Sequence, residues 1–287
     1  MNRTIRKMFC SVSCALVLAG IASLYAAAQG TIVKRINPPG SSYTTAAGLN
    51  NTGLVVGTFE LPGQQLQGFS YLVSSGTYTT CNAPGAAYTV ALGVNDSGTI
   101  SGTFTTPDGV THGFFLNGAK FTPYDVSGSS GTAVHGINNA GDFAGTLGSN
   151  GNYRGFLSVS GKLTGFAVNG RPTEAYGINS AGTTVGYFIN AQANGFHGFS
   201  RDSTGHYTQI DFPGSTSTAC TSINDAGVIT GFYVDTTGAN HGFILSDGNY
   251  KASNLPYVAQ INNLGAFVGS SLAKTGQTVG IIVQPSR

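Results

Sequence analysis

One short run constrains this chain more than any other: Ile223-Asn224-Asp225-Ala226-Gly227, versions of which recur around Asn50, Asn95, Asn138, Asn179 and Asn262. Counted from those asparagines, Gly53, Gly98, Gly141, Gly182, Gly227 and Gly265 lie three residues on, and Gly57, Gly102, Gly145, Gly186, Gly231 and Gly269 seven on. A third glycine follows near eighteen, at Gly68, Gly113, Gly155, Gly198, Gly242 and Gly280, with Phe after it in five units and Ile281 in the last. The asparagines are 45, 43, 41, 45 and 38 residues apart, so length varies between the marks while the marks keep their phase. The chain is therefore six copies of one unit of about forty residues.

Each mark has a local reason. Asn followed three residues later by Gly is the chemistry of a type I hairpin turn that closes on a left-handed residue, where Gly carries no steric cost. Segments such as 228–234 and 242–245 are short, rich in Val, Ile, Phe and Thr, and bounded by turn residues, as strands are. The glycine seven after Asn falls inside a strand, which marks a bulge or a close backbone approach. A second hairpin, Ser246-Asp247-Gly248-Asn249, completes a unit of four strands. The fourth strand ends in Asn82-Ala83-Pro84-Gly85, Asp125-Val126-Ser127-Gly128 or Asp211-Phe212-Pro213-Gly214, and less well in Ala167-Val168-Asn169-Gly170 and Asn254-Leu255-Pro256-Tyr257. There the Asx side chain is expected to bond its own backbone two residues on.

The two ends complement each other. Residues 33–40, VKRINPPG, read as a fourth strand with no unit of its own, and the last unit stops at Arg287 soon after its third strand. This predicts an all-β, six-bladed β-propeller of four-stranded blades, closed by the N-terminal strand, over residues 29–287. An open β-solenoid is the rival, and closure would remove the free edges it must cap.

Composition agrees with an all-β reading: of 287 residues 43 are Gly and only 8% are charged, poor material for long helices. Residues 1–28 stand apart. Arg3, Arg6 and Lys7 precede an apolar run from Met8 that closes on Ala26, Ala27 and Ala28, the pattern of a secretory signal peptide cut after Ala28, with an uncleaved membrane anchor as the alternative. Cleavage removes three of 13 basic residues and none of 11 acidic ones, leaving ten against 11, a balance of −1. A nearly neutral chain without a basic stripe argues against nucleic acid or anionic lipid as partner. Cys81 and Cys220 remain, at different phases of units that are not neighbours, and are expected as buried thiols.

The pattern resembles the bacterial extracellular repeats called the HAF family, on Gly136-Ile137-Asn138, Gly177-Ile178-Asn179, His112-Gly113-Phe114, His197-Gly198-Phe199 and His241-Gly242-Phe243. The match covers nearly all of residues 31–283. It implies export and a propeller-like fold and carries over no activity. Gln67, Arg154 and Val279 replace the histidine in three units.

Because His112, His197 and His241 share one repeat position, a ring holds them apart, and each is expected to bond within its own blade rather than to a common metal. No spacing matches a zinc site or a calcium loop, and no cofactor or metal is expected. In a propeller the connections from fourth to first and from second to third strand share one face, where loops on a rigid scaffold form a binding surface. Two groups fall there: Tyr43, Tyr88 and Tyr257 as an aromatic arc, and His135, Arg171, Glu174 and Tyr176 as a polar group from the third and fourth units. Inter-blade packing for the tyrosines and a surface Arg171–Glu174 ion pair are the plain alternatives. The leading functional expectation is an exported, monomeric binding propeller for a glycan, small polar molecule or protein. A polysaccharide hydrolase or lyase using Glu174 is the alternative, with no second carboxylate to partner it, and a structural envelope component is a third. Sequencing the N-terminus of the exported protein checks the signal: Gln29 is the expected first residue.

Overall fold

The computed structural model describes residues 31–148, 151–190 and 195–284, so the expected signal segment lies outside the described residues. Four separate four-stranded sheets span 88–124, 132–166, 173–210 and 217–252. A larger eight-stranded sheet is two further blades, 43–80 and 257–284 with Thr31–Ile36, joined by one bridge between Tyr43 and Thr278. The protein is a β-propeller of six blades, numbered 1 to 6 from Tyr43 onward.

Closure is as the two ends of the sequence imply. Thr31–Ile36 lies antiparallel to Thr278–Gln284, with Ile32 opposite Val283, Arg35 opposite Ile281 and Ile36 opposite Gly280. The N-terminal strand is thus the outer strand of blade 6, and Ile36 is wholly buried there.

The asparagines do two jobs. Within its turn, Asn50 accepts the N–H groups of Thr52 (3.1 Å) and Leu54 (2.8 Å) on Oδ1, while Gly53 takes a φ of +83°. Its Nδ2 then donates to the carbonyl of Asn95 in the next blade at 2.9 Å. Asn95 repeats this to Asn138 (3.1 Å), Asn138 to Asn179 (3.0 Å), Asn179 to Asn224 (3.3 Å), Asn224 to Asn262 (3.2 Å), and Asn262 returns to Asn50 (3.2 Å). All six are buried, and the circuit is closed. Residues one further on add a second tier: the N–H groups of Asn51, Asp96, Asp225 and Asn263 donate to side-chain oxygens of Asp96, Asn139, Asn263 and Asn51 respectively.

The glycines are there for proximity. A Cβ on Gly57, Gly145 or Gly231 would run into the carbonyl of Thr45, Ala133 or Ala219 on the inner strand and into the ring of Phe69, Phe156 or Phe243 on the third. Those phenylalanines are the fully buried core of their blades. Between blades, a Cβ on Gly198 would stand 2.8 Å from Cys220 Sγ, which places that thiol at the contact of blades 4 and 5. Cys81 and Cys220 are both free and buried, and burial raises both thiol pKa values.

One expectation fails in detail. The Asx side chains at the ends of the outer strands do not fold onto their own backbone two residues on, where Pro84 and Pro213 have no N–H to offer. Asn82 instead accepts the N–H of Gly68 on the third strand (3.0 Å), and Asp125 and Asp211 accept from His112 (3.0 Å) and His197 (2.9 Å). The turn itself is latched from the following inner strand, where the hydroxyls of Thr89, Thr132, Thr173 and Thr218 accept the N–H groups of Ala83, Val126, Val168 and Phe212 at 2.9–3.0 Å.

Two substitutions separate these roles. Asn50→Asp keeps the acceptor inside the turn but removes the donor to blade 2, and should cost about 1–3 kcal/mol in denaturant unfolding. Gly145→Ala should cost about 3 kcal/mol or more because neither the carbonyl nor the ring can yield. Gly165→Ala, with nothing within 4 Å, serves as the near-neutral control.

Candidate functional site

Every inner strand carries a β-bulge three residues before its asparagine. The register slips between Ala46 and Gly48, Ala91 and Gly93, Val134 and Ile137, Ala175 and Gly177, Cys220 and Ser222, and Val258 and Gln260. A bulge re-aims the extra residue, and here Ala47, Leu92, His135, Tyr176 and Ala259 line the central channel together with Thr221. The next residue is Gly in four blades because the neighbouring blade lies against it: a Cβ on Gly93 would stand 2.5 Å from the His135 carbonyl, and one on Gly136 2.5 Å from that of Tyr176. Blade 6 substitutes Gln260, whose Oε1 accepts the N–H of Leu49 at 2.9 Å.

The channel mouth encloses roughly 600 Å³ of space open to solvent, with His135, Tyr176, Tyr257, Thr45 and Thr221 in its wall. Ile137, Ile178, Ile223 and Gln260 also border a second cavity on the asparagine face, so they form the partition between the two ends.

The mouth is lopsided. Eight residues after each asparagine, blades 1 to 3 carry Thr58, Thr103 and Thr146, whereas blades 4 and 5 carry Tyr187 and Phe232. Rings run in sequence along that side: His135 to Tyr176 (4.3 Å between centroids), Tyr176 to Tyr187 (5.8 Å), Tyr187 to Phe196 (5.3 Å), Phe196 to Phe232 (5.7 Å) and Phe232 to Tyr257 (5.5 Å). Such near-neighbour rings stabilise one another beyond their burial.

Glu174 stands opposite Tyr187 in the sheet register. Its Oε1 accepts the Tyr187 hydroxyl at 2.6 Å and its Oε2 the Tyr176 hydroxyl at 2.8 Å. Burial raises the carboxyl pKa, opposed by those two hydrogen bonds. The same burial, together with the Glu174 charge, holds both tyrosyl hydroxyls well above their ordinary value. A protonated phenol is thus the stable form, and it serves as the donor.

His135 is the least settled group. It is 7% exposed, and neither Nδ1 nor Nε2 has a hydrogen-bond partner. Burial lowers its pKa from 6.5 to about 3, so the ring is neutral across the physiological range.

The structure brings His135, Glu174 and Tyr176 together, and Tyr257 joins them through Phe232. Arg171 does not pair with Glu174; its guanidinium lies over the Phe188 ring, 5.8 Å from the centroid. The surface ion pair is corrected accordingly, since the carboxylate is held by tyrosines. Tyr43 and Tyr88 begin the inner strands of blades 1 and 2 and do not line the mouth cavity. Tyr187 and Phe232 were not singled out in the sequence, although the switch from Thr to an aromatic at a fixed phase is visible when the six units are set in register, and Phe196, in the third strand of blade 4, carries no such mark.

His112, His197 and His241 do bond within their own blades, to Asp125, Asp211 and Asp235 at 3.0, 2.9 and 2.7 Å. Gln67 replaces the histidine in blade 1 and accepts from Asn82 at 3.1 Å, which preserves the link to the outer strand. Among the described residues no group of three His, Cys, Asp or Glu side chains could hold a metal ion, and no helix is long and apolar enough to cross a membrane.

No known family profile matches the chain, and no curated protein does. Solved structures do. TolB from Acinetobacter baumannii is similar over 82% of this chain and 64% of its own, with a TM-score of 0.58 at 12% identity. A putative TolB from Agrobacterium tumefaciens is similar over 85% and 90%, also at 0.58 and 12%. A putative gluconolactonase is similar over 88% and 96%, at 0.52 and 12%. At such identity the likeness is one of fold alone.

The buried histidine has a pH consequence. An unfolded histidine takes its proton near 6.5 whereas the folded ring resists until about 3, so between those values the unfolded chain binds the extra proton. The stability contributed by the neutral ring is complete above pH 6.5 and is lost as pH falls toward 3, by about 1.4 kcal/mol per unit. Equilibrium unfolding of His135→Leu across that window should show a pH slope shallower by about that amount than the native protein's.

Proposed function

We propose that this is an exported, HAF-like repeat propeller that binds a small polar ligand, such as the exposed end of a glycan, in the channel mouth between blades 3 and 6. The observation that carries the reading is the wall of the mouth, where Tyr176 and Tyr257 stand beside an open cavity that Thr45 and Thr221 also line. His135 also borders this cavity, with both ring nitrogens buried away from solvent and unanswered. Aromatic side chains bordering such a funnel suit the apolar side of a sugar or similar ring, with hydrogen bonding left to the polar groups beside them. Variation on a rigid scaffold is how a repeat protein acquires a site, and here it appears in strand residues that depart from the repeat at fixed phases.

The hydrolytic reading draws on one feature, the carboxyl of Glu174 with its raised pKa. Both its oxygens are occupied by tyrosyl hydroxyls, and glycoside hydrolysis needs a second carboxyl at a set separation. Binding is therefore the stronger proposal.

The test is an array of immobilised polysaccharides and oligosaccharides probed with the purified protein and with Tyr176→Ala and Tyr257→Ala. Loss of about tenfold or more in affinity in both variants is expected, corresponding to about 1–3 kcal/mol of stacking and contact. Binding that survives in both would move the site off the mouth. Turnover of any captured glycan, abolished in Glu174→Gln with affinity retained, would instead favour the enzyme.

A further inference from the structure

Two polar groups in the mouth are unanswered by the protein yet open to the cavity, and their placement narrows the ligand; the inference rests on the binding reading above. Gln260 is the first. Two residues before the asparagine, blades 1 to 4 carry Gly and blade 5 carries Ser222, so only blade 6 sends a long side chain from that position. Its carboxamide crosses to blade 1, where Oε1 accepts the Leu49 N–H at 2.9 Å and would stand 2.8 Å from a Cβ on Gly48. A backbone N–H needs an acceptor, so this bond also fixes which arm of the amide is which, and Nε2 is the free donor. Among the described residues nothing accepts from Nε2, and it is not shut away from solvent as the hydroxyls of Thr58 and Thr146 are. Because Gln260 borders the cavities on both sides of the partition, that donor stands at the floor of the mouth. The hydroxyl of Thr45, higher on the blade 1 wall, is likewise without a partner among the described residues and likewise not sealed off.

Between these two groups the wall is recessed and apolar. The bulge residue is Ala47 in blade 1 and Ala259 in the adjacent blade 6, whereas the other blades place Leu92, His135, Tyr176 and Thr221 there. A small apolar recess with a donor at its base and a hydroxyl above it matches one common group, a secondary acylamide. Its carbonyl accepts, its N–H donates and its methyl is apolar. The reach agrees as well. In a trans amide the N–H and C=O point in opposite directions, so its two outer partners stand about 8 Å apart, comparable with the roughly 10 Å of strand from Thr45 to Gly48. A sugar hydroxyl in the same recess satisfies one of the two groups and leaves the other to water.

We infer that the mouth takes the N-acetylated hexosamine end of a glycan. The acetamido carbonyl accepts from Gln260 Nε2, its N–H donates to Thr45 Oγ1, its methyl rests against Ala47 and Ala259, and the pyranose stays at the mouth beside Tyr257.

The experiment titrates the purified protein with two probes that differ only at carbon 2, the methyl β-glycosides of N-acetylglucosamine and of glucose. Tyrosine fluorescence is one signal, unobscured because the chain has no Trp; the side-chain amide resonance of Gln260, assigned by its loss in Gln260→Glu, is the other. The acetamido sugar is expected to bind about tenfold or more tightly than the glucoside and to shift the Gln260 amide. Gln260→Glu keeps an oxygen for the Leu49 N–H but turns the free donor into an acceptor, and should weaken the acetamido sugar about tenfold while leaving the glucoside unchanged. Ala47→Leu fills the recess with the side chain that blade 2 already carries at that position, so the fold accommodates it, and should abolish the preference for the acetamido sugar. Equal affinity for the two glycosides, or a preference that survives in both variants, overturns the inference and leaves a binding mouth. A glycan captured on the array through Tyr176 and Tyr257 but bearing no acylamino group does the same. If neither glycoside binds, the inference fails, and an array that also captures nothing removes the binding reading with it.

Discussion

The six amide-to-carbonyl bonds that run from Asn50 round to Asn262 and back make every blade a hydrogen-bond donor to one neighbour and an acceptor from the other. Because each asparagine also folds its own hairpin turn through Oδ1, the residue that shapes the blade locally is the one that spaces it from the next. A chain of single bonds, each with a net value of about 1 kcal/mol, would be weak if open. Closed and buried, it has no end at which to fray, and breaking one link leaves a carbonyl without its protein partner. The N-terminal strand closes the same circle at the outer edge, where the blade 6 sheet would otherwise end in unpaired backbone groups.

The glycines and the bulges follow from that spacing. Blades held this close leave no room for a Cβ at Gly93 or Gly136, and the extra residue ahead of each is turned into the channel. The bulge is thus a scaffold feature with a functional product: it delivers one side chain per blade to the axis, whatever that side chain is. Most of the six are small or apolar. His135 and Tyr176, adjacent on blades 3 and 4, are the exceptions, and the neighbouring Glu174 and Tyr187 complete a polar pair behind them. The asparagine turn and the bulge recur in all six blades, and chemistry is confined to positions where the backbone is indifferent to the side chain.

That separation explains what was legible in the sequence. Asn, Gly and the Gly-Phe pair recur because each is required by a turn, a close approach or a core position, so their phases carry the blade count, the faces and the closure. His112, His197 and His241 were legible for the same reason, as members of a repeated position. His135, Arg171, Glu174 and Tyr176 were selected as departures from the repeat on the loop face, and three of the four meet. Arg171 does not, since its guanidinium lies over Phe188. The aromatic partners Tyr187 and Phe232 were missed because they stand in second strands, where an aromatic residue looks like ordinary core. The outer-strand Asx residues misled because their sequence resembles a local turn while their bonds reach across to another strand.

From the sequence alone came the six units, the four strands in each, the hairpin turns and the complementary ends, since all of these follow from short-range rules of backbone geometry repeated in phase. Which side chains converge at the axis was decided by the tertiary structure. Residues such as His135 and Tyr187 lie on different blades, and their proximity and burial depend on the radius to which the asparagine circuit draws the ring, a distance that no local pattern encodes.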